Sequence, residues 1–440
     1  MRFSRPLAAA VAVAVSPCVH ATDNLEEVVV TPTKTAQTAD ESLAPVTVIT
    51  REDIEQVQPD SLPGLLASQA PGIDISNSGG LGKQSSLYMR GTDATHTLVL
   101  VDGIRIGSAT TGTTALEHIP VHQIERIEVV RGPRSSLYGA EAIGGVIHIF
   151  TRRPESGRLH ASAEAGTYQT YRGEVGTAWA NENSRLSVNV NALDTEGFNA
   201  LENAQPDDDG YRNNSISLQG GHSFDAKAAV DFSLLYAEGK NEYDNAYGAV
   251  GDEYTSDVRQ NAGSIGLDLN PTSVWRSRLD LGLSTDDSNN FLNGEPNNDY
   301  KTVRKQLNWQ NDLDLKRGGL LTLGIETYRD QIDSNISYTE EERDNLAAFG
   351  QWQADLDPID LALSLRHDDN EAYGEHTTGS LSAGIDLSSD WRLTASYGTA
   401  FHAPTFNQLF YPGYGNPELE EETSQHGEFG IRQSLNQGYW

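Results

Sequence analysis

RLSVNVNA, residues 185–192, sets Leu186, Val188, Val190 and Ala192 against Arg185, Ser187, Asn189 and Asn191. A strict period of two puts one set on each face of an extended strand, so one face meets an apolar medium and the other a polar one. The same rhythm recurs at Leu159-Ala161-Ala163-Ala165, Val230-Phe232-Leu234-Tyr236, Ile359-Leu361-Leu363-Leu365 and Trp391-Leu393-Ala395-Tyr397, each set taken at every second residue. About fourteen such segments are legible over 154–440, mostly near the ten-residue length that spans a bilayer when tilted.

Soluble β-sandwiches and β-helices alternate too. Two features favour a membrane barrel: many segments exceed the usual five or six residues, and Trp179, Tyr236, Trp275, Trp309, Trp352, Trp391 and Tyr397 fall toward segment ends, where interfacial girdles lie. Short connections (181–183, 388–390) alternate with long acidic ones (199–212, 241–258, 288–300); in such barrels the short turns face the periplasm and the long loops face outward.

The first 21 residues carry Arg2 and Arg5, an apolar core from Leu7 to Val15, and the close Val19-His20-Ala21, which is the pattern of a signal peptide for export. Cys18, the single cysteine, lies inside it, so the mature chain is expected to use no thiol chemistry. Beyond the leader no run of about 18 apolar residues suggests a transmembrane helix. Lys plus Arg number 31 against 63 for Asp plus Glu, a net charge of -32, which argues against a nucleic-acid partner.

Residues 22–153 read differently, as a small α+β domain. Thr50 with Asp53 forms a capping box, and Ser61 opens a second helix that Pro71-Gly72 ends. Strands are expected at Thr97–Val101, Ile127–Val130 and Val146–Phe150.

LYMRGTDATHTLVLVDGIRI (87–106), IERIEVVRGPRSSLYGAEAIGGVIHIFT (124–151) and SYGTAFHAPTFNQLFYPGYGNPELEEETSQHGE (396–428) resemble the plug and barrel signatures of TonB-dependent outer-membrane receptors, over essentially the whole mature chain, and within that family the corrinoid receptors most closely. The resemblance implies a 22-stranded antiparallel barrel whose lumen holds the plug, so the chain is expected to lack C-terminal strands. It implies a monomer in outer-membrane lipid and lipopolysaccharide, drawing energy from TonB and its ExbB-ExbD complex. A siderophore receptor, and a passive pore or adhesin, are the rival readings. The eleven histidines form no HExxH set, and no enzyme activity is expected.

Four residue sets follow. Glu26, Glu27, Val28, Val29, Val30 and Thr31 form a β-prone segment able to add a strand to a partner sheet or to serve as the first plug strand; the resemblance makes it the TonB box. Arg90, Arg131 and Arg134 need carboxylates inside a lumen, and the resemblance offers Glu422 and Glu428. The loops 76–86 and 105–115 are rich in Gly, Ser and Thr, which suits both ligand approach and plain flexibility; the resemblance places Gln84, Ser86, Asp93, Thr111 and Gly112 at substrate contacts.

The fourth set surrounds QPDDDGY, residues 205–211. Arg212 and Leu218 stand where an EF-hand needs glycine and glutamate, leaving a solvated acidic loop or a cation site shared with the next long loop. The resemblance implies structural calcium held by Gln205, Asp207, Asp209, Tyr243, Asp244 and Asp257, with Asn199 where another aspartate is expected.

Overall fold

The computed structural model describes residues 29–30, 33–35, 37–38, 41–153, 157–202, 205–388 and 390–433. The leader, Glu26, Glu27, Val28 and Thr31 lie outside them.

Both expected helices form. Thr50 accepts from Asp53 N while Asp53 accepts from Thr50 N, closing the capping box of Arg51–Val57, and the Ser61 side chain caps Leu62–Gln69. Leu62, Leu65 and Leu66 then pack on Ile124, Ile127, Val129, Ile147 and Ile149 of a five-stranded sheet. Its order is Val46–Ile49, Ile124–Arg131, Gly145–Thr151, Thr97–Val101, Ile104–Arg105, and only Thr97–Val101 with Gly145–Thr151 is parallel. All five residues of Thr97–Val101 are buried, as an apolar run in a central strand requires.

Around this plug wraps a 14-stranded antiparallel meander running from Leu159–Ala165 to Glu422–Gln433. Among the described residues no pairing joins its first and last strands. The faces are inverted relative to a soluble sheet: Leu186, Val190, Leu234, Leu281, Leu363 and Leu365 are exposed on the outside, whereas Asn189, Asn191, Ser215, Ser217, Thr322 and Asn345 are buried on the inside. An apolar exterior around a polar lumen is the arrangement that lipid demands.

Two expectations need correction. Several strands reach 18 to 20 residues (Trp275–Leu292, Tyr254–Thr272, Glu295–Asp314) rather than about ten. Residues 288–300 are not a long loop, because the strands continue to a two-residue turn at Asn293-Gly294 with φ of 54° and 78°. Asn-Gly supplies the left-handed pair that such a hairpin needs. The polar residues that suggested a loop extend the ladder instead, as at Asn290–Asn298, where Asn290 Nδ2 donates to Asn298 Oδ1 at 2.9 Å.

Candidate functional site

The apex of the hairpin Ile73–Asn77/Ser85–Met89 meets the long connection that ends at Gly210, where Lys83 Nζ donates to Asp209 O and Gly210 O. Asn77 fixes that apex: its Oδ1 accepts from Gly79 and Gly80 N–H at 2.9 and 2.7 Å, and its Nδ2 donates to Lys83 O and Ser85 Oγ. Gly82, at φ +72°, lies flat against the Tyr211 ring. Beside the apex, 105–115 folds back through Gly112 N–H to Ser108 O and Ser108 N–H to Thr113 O, both 2.9 Å. It is anchored outward by Ala109 N–H to Thr302 Oγ1 and by the N–H groups of Phe406 and Asn407, which donate to Ala109 O and Thr110 O.

Between these two plug segments and the barrel wall lies a cavity of about 480 Å³. Gln84, Ser86 and Thr111 line it, facing Tyr243, Tyr247 and Tyr300. Asp93 and Gly112 do not: Asp93 Oδ1 accepts from Thr95 N–H at 3.0 Å, a bond that holds its carboxyl below the usual range, and Gly112 backs onto Thr405 and Thr95. Among the described residues the lining contains no arginine. Its basic residues are Lys83 and His118; burial lowers His118 to about 4 and so keeps it neutral. Glu117, Asp244 and Asp286 are its acids, and burial lifts Glu117 to about 8.

The residues expected to hold calcium are only partly assembled. Gln205 is buried and bridges the two connections, its Oε1 accepting from Asn245 N–H at 2.8 Å and its Nε2 donating to Ala249 O at 3.1 Å. Asp244 Oδ2 accepts from Leu201 N–H at 2.6 Å and Asp209 Oδ2 from Ala200 N–H at 2.8 Å. Burial and the neighbouring Asp244 carboxyl raise Asp209 to about 6. Asp207 is exposed. Asp257 sits opposite Lys240, on the other strand face from Ser256 and Val258, which line the cavity. Among the described residues no three His, Cys, Asp or Glu side chains converge on a metal position, so in this conformation the set does not fit a resident ion.

Of the lumenal arginines, Arg90 makes a two-pronged pair with Glu428 at 2.9 and 3.1 Å. Arg131 donates instead to Pro71 O and Thr47 Oγ1, and Arg134 to Arg131 O; burial lowers Arg134 to about 10. Glu422 meets His96 Nε2 at 3.0 Å rather than an arginine. Plug backbone oxygens, which the expectation did not count as partners, take the place of the missing carboxylates.

At the other end, Val29–Val30 pair antiparallel with Gln37–Thr38. Just beyond, Lys34 Nζ reaches Glu326 Oε2 at 3.0 Å, while Arg105 and Arg366 each reach Oε1 at 3.0 Å. Lys34 also lies 4.3 Å from the centre of the Phe349 ring. One barrel carboxylate thus gathers the segment after Val30 and the residue that opens 105–115. No pattern in the sequence marked Glu326, because its three partners come from distant parts of the chain.

A receptor with a lumen-filling plug is the class that this geometry defines. The family model of the TonB-dependent receptor plug domain matches residues 38–146, and that of the TonB-dependent receptor-like β-barrel matches 156–440; the chain belongs to the TonB-dependent receptor family. It is 33% identical over 409 residues to the vitamin B12 transporter BtuB of Photobacterium profundum, covering 92% of this chain and 66% of that protein. It is 33% identical over 424 residues to BtuB of Vibrio vulnificus, covering 93% and 68%. The chain therefore spans about two thirds of the length of these relatives. Among solved structures, a mutant of the ferric enterobactin receptor PfeA of Pseudomonas aeruginosa matches with a TM-score of 0.76 at 22% identity, over 89% of this chain and 69% of that one. The siderophore receptor PirA of Acinetobacter baumannii matches with 0.73 at 20%, over 89% and 68%. At those identities the structural likeness concerns the fold.

Proposed function

We propose that the chain belongs to an outer-membrane receptor that captures a corrinoid at its long-loop face and passes it inward when TonB draws on the segment around Val29–Val30. The observation that carries the corrinoid reading is the chemistry of the cavity wall among the described residues: hydroxyls and an amide from Gln84, Ser86, Thr111 and Thr113, tyrosines, the carboxylates of Asp244 and Asp286 against the single Lys83 ammonium, a protonated Glu117, and no arginine. A multiply anionic ferric catecholate would meet net repulsion there. An amide-rimmed, nearly neutral macrocycle finds donors and acceptors together with aromatic faces.

The sequence relatives support the same reading; the siderophore receptors share the fold. Equilibrium binding to the purified chain tests it, with cyanocobalamin expected to bind at least about 100-fold more tightly than ferric enterobactin, roughly 2.7 kcal/mol. The reverse order would transfer the chain to the siderophore reading.

Strand addition by TonB at Val29–Val30 would compete with Gln37–Thr38 for the same backbone groups. Displacing that pair loosens the chain next to Lys34, whose ammonium is one of three cations on Glu326. Arg105 shares that carboxylate, so force applied before Lys34 is felt at the start of the cavity segment 105–115. Calcium is kept out of the proposal, because Asp207 and Asp257 lie apart from Asp209 and Asp244 and the two connections meet without it. Calorimetric titration of the full chain with calcium tests that directly.

A further inference from the structure

Three adjacent aspartates on one connection and Asp244 on the next repel one another, yet the structure holds the two together. Gln205 accounts for part of this. The rest converges on Lys83, a residue of the plug apex that is 2% exposed. Its Nζ lies within hydrogen-bonding distance of four oxygens: Leu81 O at 3.2 Å, Asp209 O at 3.0 Å, Gly210 O at 3.3 Å and Asn241 Oδ1 at 2.8 Å.

The oxygens come from three parts of the chain: the plug apex, the connection that ends at Gly210, and the strand that leads into the second connection. Burial lowers Lys83 to about 8, and the charges of Asp209, Glu242 and Asp244 oppose that shift, so the side chain is an ammonium at neutral pH. Glu242 Oε2 also accepts from Gly210 N–H at 3.2 Å, so both connections close around one point of positive charge.

We propose that the Lys83 ammonium is an internal cation that joins the connections 196–210 and 243–253 to each other and to the plug, so that their association needs no divalent ion. A cage of carbonyl and amide oxygens flanked by carboxylates is the donor chemistry that a hard cation takes, and a tethered ammonium occupies it with no loss of translational freedom on binding. A buried charge of this kind is tolerated only when its donors are satisfied, and here every acceptor is supplied. The neighbouring Gln84 is thereby held in the cavity wall, and the cavity mouth is formed before a ligand arrives.

Hydrogen–deuterium exchange of the full chain tests this without reference to any ligand. The reporters are the amides of Leu201, Gly210 and Asn245, each bonded across or within the joined connections. In the unmutated protein their protection is expected to be the same in chelator as in millimolar calcium. In Lys83→Met it should fall at least tenfold in chelator, while the sheet amides of 97–101 and 145–151 keep theirs. Loss of protection on chelation of the unmutated protein overturns the proposal, as does full protection of Lys83→Met in chelator. Should Lys83→Met also lose protection in the plug sheet, Asn241→Leu decides the matter: it removes one acceptor from the barrel side, and unchanged exchange at the three reporters in that variant overturns the proposal.

Discussion

Lys34 Nζ and Glu326 Oε2 stand 3.0 Å apart, and this contact fastens the N-terminal end of the plug to the barrel wall. Glu326 is 7% exposed and carries Arg105 and Arg366 as well. Removing the carboxylate leaves three cations without their shared anion, whereas removing Lys34 leaves the carboxylate with two. Glu326→Gln should therefore destabilise by about 3–5 kcal/mol and Lys34→Met by distinctly less. Denaturant unfolding of both variants checks the order; equal losses would mean that the node does not act through Glu326.

Glu117 lies beside the cavity with its Oε2 buried and unbonded. Burial, with repulsion from Asp286 added, raises its folded-state value to about 8 from 4.5. The fold binds a proton there that the unfolded chain releases. The associated stability is complete below about pH 4.5 and is lost as pH rises through about 8. Glu117→Gln should flatten this decline, so that the variant unfolds at a higher temperature than the unmutated protein at pH 9. Parallel unfolding curves from pH 5 to 9 would refute the assignment.

Gly82 and Gly91 share left-handed backbone, at φ +72° and +76°, but differ in surroundings: a methyl group on Gly82 would overlap the Tyr211 ring, and one on Gly91 meets nothing within 4 Å. Gly91→Ala should cost only the backbone strain of about 1 kcal/mol. Gly82→Ala should cost more and displace Tyr211 from His118 Nδ1, now 2.9 Å from its hydroxyl. Thermal unfolding of the pair isolates the steric part, and similar midpoints would show that Tyr211 gives way freely.

Proline at position 29 removes a backbone donor from the segment that TonB is proposed to pair with. Val29→Pro should bind ligand at the cavity like the unmutated receptor and accumulate none in cells. Normal uptake by the variant would remove Val29–Val30 from the coupling mechanism.

The meander, the inverted faces and both plug helices were legible because each is written locally, as a period of two or as a cap three residues from its partner. The Asn293-Gly294 hairpin was equally local, yet the surrounding Asn and Asp residues read as a loop because strand propensity undervalues polar residues that pair across a ladder. The site was legible as segments and not as an assembly. Gln84, Ser86 and Thr111 share one wall, but Asp93 and Gly112 face elsewhere. Lys83 and Glu326 escaped notice because a buried charge is recognisable only by its partners, and these lie far along the chain.

Both borders of the meander are pinned to the plug. Near the first, His122 Nδ1 meets Glu174 at 2.9 Å and Arg172 donates to Asp60 O; on the last, Arg90 grips Glu428 and His96 meets Glu422. The lumenal domain therefore behaves as a mandrel, giving the sheet its curvature as well as filling it. The plug sheet closes over long sequence distances, Val46 pairing with Val130 and Thr97 with Gly145, whereas each barrel strand pairs with its neighbour in sequence. Cutting either set of border contacts should accordingly free one edge of the sheet before the central strands feel it.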